Sequence, residues 1–130
     1  MKVVSVIAVG GVLGAAGRYG VAVALPTSTG AWPWSTLAVN ATGCLLIGVL
    51  MVLVDAWRLH RLVRPFLGVG LLGGYTTFST YAVDAQALLA EGRPALALGY
   101  LLATPVVALL AVQIGVVTTR AVIHHRGGTR

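Results

Sequence analysis

Charge is what this sequence has least of. Only 9% of its 130 residues are charged and 58% are hydrophobic, whereas roughly a quarter of the residues of an ordinary soluble domain are charged. The composition therefore excludes an ordinary soluble domain. It also excludes intrinsic disorder, because a chain this apolar does not stay solvated. The length predicts one domain, residues 1–130.

Cysteine and acidic residues are also scarce. The single cysteine, Cys44, has no partner within the chain, so a disulfide framework is excluded. The three acidic residues form no carboxylate pair, and the three histidines lie in loops or near the C-terminus, so the sequence predicts no enzyme. A net charge of +6 does not indicate nucleic-acid binding here, because no basic residues alternate with aromatic residues in a soluble module.

Long stretches with little or no charge are present instead. A bilayer core about 30 Å thick requires about 20 mainly apolar helical residues. The gaps between charges predict four such helices, at approximately residues 3–25, 34–54, 65–90 and 95–119. Because these apolar runs are continuous and far longer than strands, we predict an all-α membrane protein with four transmembrane helices.

The basic residues are distributed unevenly between the two sides of such a protein. The side opposite the termini carries only Arg93. The side that holds both termini and the second loop carries seven: Lys2, Arg58, Arg61, Arg64, Arg120, Arg126 and Arg130. The positive-inside rule therefore predicts a multi-pass protein of the cell membrane with both termini in the cytoplasm.

Polar residues within the predicted spans are candidates for function, because polar groups are costly in hydrocarbon. Arg18 lies near the outer end of the first helix, where it either reaches the interface or draws anions into a vestibule. Asn40 shares a helical face with Thr36, which is compatible with interhelical hydrogen bonding or with a pore. Tyr100 and Thr104 share a face of the fourth helix.

The third span contains two glycines, four hydroxyl residues and three aromatic residues between residues 73 and 81. Such a stretch weakens a helix, and a break at membrane depth survives only where its freed carbonyls are buried or line a cavity. Those carbonyls could hold a small hard cation. Phe78 and Tyr81 share a face if the helix has resumed, and their positive ring edges could attract an anion. The alternative is a packed aromatic ridge.

Three blocks of this sequence resemble the Fluc (CrcB) family of fluoride channels. They are GGVLGAAGRY at residues 10–19, STLAVNATG at residues 35–43 and GGYTTFSTY at residues 73–81. The resemblance implies an antiparallel, dual-topology dimer of four-helix subunits in which the third helix is broken at its centre. It also implies two pores and a structural Na+ ion that is not transported.

The resemblance assigns roles to individual residues. It implies that the backbone carbonyls of Gly73 and Thr76 hold the sodium ion. The residues that it places along the fluoride path are Asn40, Phe78, Tyr81 and Thr104. The sequence departs from the family pattern at three positions, where Tyr81 replaces a phenylalanine, Asp84 a glutamate and Ala108 a hydroxyl residue.

These observations predict a passive channel that exports cytoplasmic fluoride and so reduces fluoride toxicity. One alternative is a proton-coupled small multidrug exporter, although residues 3–25 lack the acidic residue that such a protein needs in its first helix. Another is a structural membrane subunit that transports nothing. Because one chain with so strong a charge bias is poorly suited to insertion in both orientations, we expect an oppositely oriented paralogue as partner, and otherwise a homodimer.

Overall fold

The computed structural model describes residues 2–127, so Arg130 of the charge count lies outside the described residues. Every regular element within this range is helical. The order is α1 (Lys2–Ala24), α2 (Trp34–Trp57), a π-helical segment (Arg64–Leu72), α3 (Gly73–Tyr75), α4 (Ser79–Ala90) and α5 (Pro94–Gly127). The predicted all-α class is confirmed for the part of the chain that is described.

Three helices are long and apolar enough to cross a membrane, namely Lys2–Ala24, Trp34–Trp57 and Pro94–His125. Most of their side chains are not buried within the chain, as expected of helices that face lipid or another subunit. This confirms a membrane protein. Helices α2 and α5 continue beyond the predicted ends of their spans, at residues 54 and 119.

The predicted span at residues 65–90 is divided in the middle. The chain is helical from Arg64 to Tyr75, extended at Thr76 with φ −71° and ψ 155°, and helical again from Ser79. The break therefore falls within the GGYTTFSTY block, where the sequence predicts it. It separates two half-helices, neither of which would span a bilayer alone.

Close backbone contact holds α1 against the first half-helix. A Cβ atom added to Gly10 would lie 2.5 Å from the carbonyl oxygen of Phe66, and one added to Gly14 would overlap the carbonyl oxygen of Leu71. Only glycine permits this approach. The small-residue ridge of α1 is thus a packing surface, as its pattern indicates.

A small buried core joins α4 to α5 near the loop between α1 and α2. Ala85 and Leu88 of α4 are buried there against Ala97 and Tyr100 of α5, and Trp32 packs against the cluster. The Trp32 and Tyr100 rings meet edge to face with centroids 5.6 Å apart. This core fixes the second half-helix beside α5 and α2.

Candidate functional site

Asn40 on α2 is bonded to the break between α3 and α4. Its Nδ2 donates to the carbonyl oxygen of Thr77 at 2.9 Å, and its Oδ1 accepts from the amide of Thr77 at 2.8 Å. Both backbone groups of Thr77 are therefore satisfied by one buried side chain. Unpaired backbone groups cost several kcal/mol each in a membrane, by order of magnitude, so this amide makes the break tolerable.

Two hydrogen bonds at the break release two carbonyls from helical pairing. In an uninterrupted helix the amides of Thr77 and Thr80 would donate to the carbonyls of Gly73 and Thr76. Instead, the Thr77 amide donates to Asn40, and the Thr80 amide donates to Oγ1 of Thr77 at 3.1 Å. The freed carbonyls belong to the two residues that the resemblance assigns to sodium. Neutral carbonyl oxygens are among the ligands that hard cations accept.

A cavity of about 470 Å³ lies between α2, the break and α5. It brings together four residues of the predicted site, because Asn40, Phe78, Tyr81 and Thr104 all border it. Its wall is completed by Cys44, Thr76, Thr77, Pro105 and Ala108. The sequence prediction thus identifies residues from three separate helices that meet in one place.

Two of these residues, Thr104 and Phe78, differ sharply in burial. Thr104 is 5% exposed, and its Oγ1 has no hydrogen-bond partner among the residues that the structure describes. Buried hydroxyls are normally hydrogen-bonded, so this unpaired one is an exception. The oxygen itself is enclosed by the protein, although the Thr104 side chain borders the cavity. The Phe78 ring is 78% exposed, so it is open to lipid or to another subunit.

The rings of Phe78 and Tyr81 lie 5.6 Å apart between centroids, so the predicted pair is adjacent. Tyr81 also contacts Tyr100, with centroids 5.3 Å apart. The Tyr81 hydroxyl, which the family pattern lacks, donates to the carbonyl oxygen of Leu101 at 2.6 Å. Its hydrogen is therefore directed to α5 and is not offered to the cavity.

A second cavity, of about 430 Å³, lies on the other side of Thr77 and is bordered by Arg18. Thr36, Thr80 and Asp84 also line it. Arg18 thus stands beside a polar cavity, which favours the vestibule interpretation over the purely interfacial one. Thr77 borders both cavities, so the two meet at the broken segment.

The polar network around Asp84 is not evident from the sequence. Its Oδ2 accepts hydrogen bonds from the hydroxyls of Thr36 at 2.6 Å and Tyr100 at 3.2 Å. The sequence nevertheless contains a sign of it. A carboxylate within a membrane span requires hydrogen-bond donors, and the hydroxyls of Thr36 and Tyr100 both lie in predicted spans. The pairing itself depends on how α2, α4 and α5 pack.

Together, the fold and site define a helical membrane protein in which two cavities, each with some polar residues in its wall, meet at a broken helix. The family model described as "CrcB-like protein, Camphor Resistance (CrcB)" matches residues 5–116. The chain therefore belongs to the CrcB family, as the three sequence blocks predict.

Characterised relatives show the same affiliation. The chain is 53% identical over 125 residues to "Fluoride-specific ion channel FluC 1" of Streptomyces coelicolor, covering 95% of this chain and 81% of that protein. It is 56% identical over 103 residues to "Fluoride-specific ion channel FluC 2" of Streptomyces avermitilis, covering 78% and 65% respectively. It is 45% identical over 114 residues to "Fluoride-specific ion channel FluC" of Paracoccus denitrificans, covering 88% and 91%.

Proposed function

We propose that this chain is a subunit of a fluoride-specific ion channel through which cytoplasmic fluoride leaves the cell passively. The observation that carries the proposal is the mainly apolar cavity that Asn40 and Thr104 border beside the exposed Phe78 ring. Fluoride is small and strongly hydrated, so a selective path must replace its water with fixed donors. The names of the relatives support the same function.

Asn40 has two roles in this proposal. One hydrogen of its Nδ2 holds the Thr77 carbonyl, and an amide nitrogen carries a second hydrogen. Because Asn40 borders the same cavity as Thr104, this second hydrogen is a further donor for a dehydrated anion. The edges of the Phe78 and Tyr81 rings carry partial positive charge and add attraction without supplying water.

The channel is proposed to be an antiparallel, dual-topology dimer. The exposure of Phe78 supports this, because a second subunit laid against the break would cover the ring and close the cavity. The uneven loop charges support an oppositely oriented paralogue as partner, with a homodimer as the alternative.

A structural Na+ ion at the dimer centre is part of the same proposal. The carbonyls of Gly73 and Thr76 fit it, since their helical amide partners are directed elsewhere by Asn40 and Thr77. When bound, the ion would supply fixed positive charge close to the anion path. The chain's own contribution is to hold the two carbonyls in a fixed, non-helical geometry.

The proposal is tested by ion efflux from liposomes that contain the protein together with any chain that copurifies with it. We expect fluoride efflux with little chloride efflux. We expect Thr104→Val, which removes only the hydroxyl, to lower fluoride efflux at least tenfold, because a hydrogen bond to a charged group is worth about 1.5–3 kcal/mol.

Thr118→Val is the matched control. The Thr118 hydroxyl donates to the carbonyl of Ile114 within α5 and belongs to neither cavity. We expect this variant to retain fluoride efflux. Absence of fluoride efflux from verified proteoliposomes, or chloride efflux at an equal rate, would reject the proposed function. If Phe78→Ile assembled normally and conducted fluoride at the original rate, that ring would have only a structural role.

A further inference from the structure

Helix α5 contains a proline at its centre. Pro105 has no amide hydrogen, so the helical bond that residue 105 would donate to the carbonyl of Leu101, four residues earlier, is missing. In a membrane such a carbonyl requires another donor, because no bulk water is available. The helix nevertheless continues through this position.

The missing donor is supplied by a different helix. The Tyr81 hydroxyl of α4 reaches the Leu101 carbonyl oxygen at 2.6 Å. A phenylalanine at position 81 would fill the same space without this bond. Pro105 removes a hydrogen-bond donor from α5, and Tyr81 supplies one in its place. The two residues therefore complement each other.

This bond lies at the wall of the larger cavity. Tyr81 and Pro105 both border that cavity, as does Thr104, which directly precedes the proline. The Tyr81 ring also lies between Phe78 and Tyr100, at centroid distances of 5.6 Å and 5.3 Å. Fixing the Tyr81 hydroxyl therefore fixes the ring against which Phe78 packs.

We propose that Tyr81 is a positioning residue whose hydroxyl replaces the hydrogen bond that Pro105 removes from α5. The bond fastens the second half-helix to α5 and sets the relative placement of Phe78 and Thr104. Its effect on ion flux rests on the function proposed above, whereas the coupling between Tyr81 and Pro105 does not. Tyr81 thus differs from an aromatic residue whose only role is to face the ion path, because its hydroxyl has a structural partner on α5.

A double-mutant cycle tests the coupling by thermal stability of the purified assembly in detergent. We expect Tyr81→Phe to lower the melting temperature by about 5 °C, since it leaves the partly buried Leu101 carbonyl unpaired. Pro105→Ala restores the amide donor, so in that background Tyr81→Phe should cost less than about 2 °C. Tyr19→Phe, at a ring that is 72% exposed, is the control for loss of a tyrosine hydroxyl and should leave the melting temperature unchanged.

An equal loss from Tyr81→Phe in both backgrounds, or no loss in either, would overturn the proposal. Fluoride efflux provides the second measurement. We expect Tyr81→Phe to lower the rate per inserted channel about threefold to tenfold, and Pro105→Ala to restore most of that rate in the double variant. If the two substitutions are coupled in stability but the unmodified protein carries no fluoride, the hydrogen-bond proposal is supported and the channel function is rejected. Failure of one proposal can thus be distinguished from failure of the other.

Discussion

At the scale of single residues, Asn40 determines whether the third span can be broken at all. Its amide satisfies both backbone groups of Thr77 and thereby directs the Thr77 amide away from the carbonyl of Gly73. The same side chain stabilises the break and borders the cavity. The structural role of Asn40 and its proposed role in conduction are therefore compatible.

Replacing Asn40 by leucine tests the structural role. The number and branching of the side-chain heavy atoms are retained, but the amide and carbonyl of Thr77 lose their partners. We expect a loss of about 2–6 kcal/mol in the free energy of unfolding, from two buried groups at about 1–3 kcal/mol each. Reversible unfolding in mixed detergent micelles measures it.

Cys44→Ala is a suitable control for Asn40→Leu. Cys44 lies one turn further along α2 and borders the same cavity. Its replacement by alanine removes only the small thiol group. We expect a loss of about 1 kcal/mol or less. Equal stability of Asn40→Leu and the unmodified protein would contradict the assigned role.

The importance of Asn40 was predictable from sequence, whereas its partner was not. An amide in the middle of an apolar helix is costly, and this cost identified it as a candidate. The bond to Thr77, 37 residues away, depends on which face of α2 meets the break. The Tyr81 hydroxyl is similar, because the departure from the family pattern was visible but its partner on α5 was not.

At the scale of helices, glycine contacts fix the frame that carries the site. Helix α1 meets the first half-helix at Gly10 and Gly14, where no side chain fits. Helices α2 and α5 meet in the same way at Gly48 and Gly115, each lying against backbone of the other helix. These approaches rely on van der Waals packing, which is the main attraction between helices in lipid.

The same substitution at two positions of α1 tests this packing. Gly14→Ala would place a methyl group onto the carbonyl of Leu71, so we expect a loss of about 1–3 kcal/mol in stability. A Cβ atom added to Gly20 meets no neighbouring atom within 4 Å. Gly20→Ala should therefore change stability by about 0.5 kcal/mol or less. Retention on size-exclusion chromatography after heating compares them, and equal profiles would contradict the packing account.

The positions of the membrane helices were predictable because they depend on where charged residues are absent. Gaps between charges locate apolar helices because ionised side chains are excluded from hydrocarbon. The glycine and threonine cluster located the break for a similar reason. Helix ends were less predictable, since α2 continues to Trp57 and α5 to Gly127 beyond the apolar stretch, where backbone hydrogen bonding does not depend on hydrophobicity.

At the scale of the whole molecule, the loop charges predict the orientation. Seven basic residues on one predicted side against Arg93 on the other favour cytoplasmic termini. Cysteine tags at each terminus, labelled by a membrane-impermeant reagent in intact and opened cells, measure this. We expect labelling only after opening, and equal labelling from both faces would instead indicate insertion of this chain in both orientations.

The central claim is that the cavity bordered by Asn40, Phe78 and Thr104 belongs to a path selective for fluoride. The most direct test is the reversal potential of the assembled protein in a planar bilayer with fluoride on one side and chloride on the other. The account predicts a current that reverses far from zero, at a voltage whose sign opposes the fluoride gradient. A reversal potential near zero, which indicates equal permeability of the two anions, would contradict it.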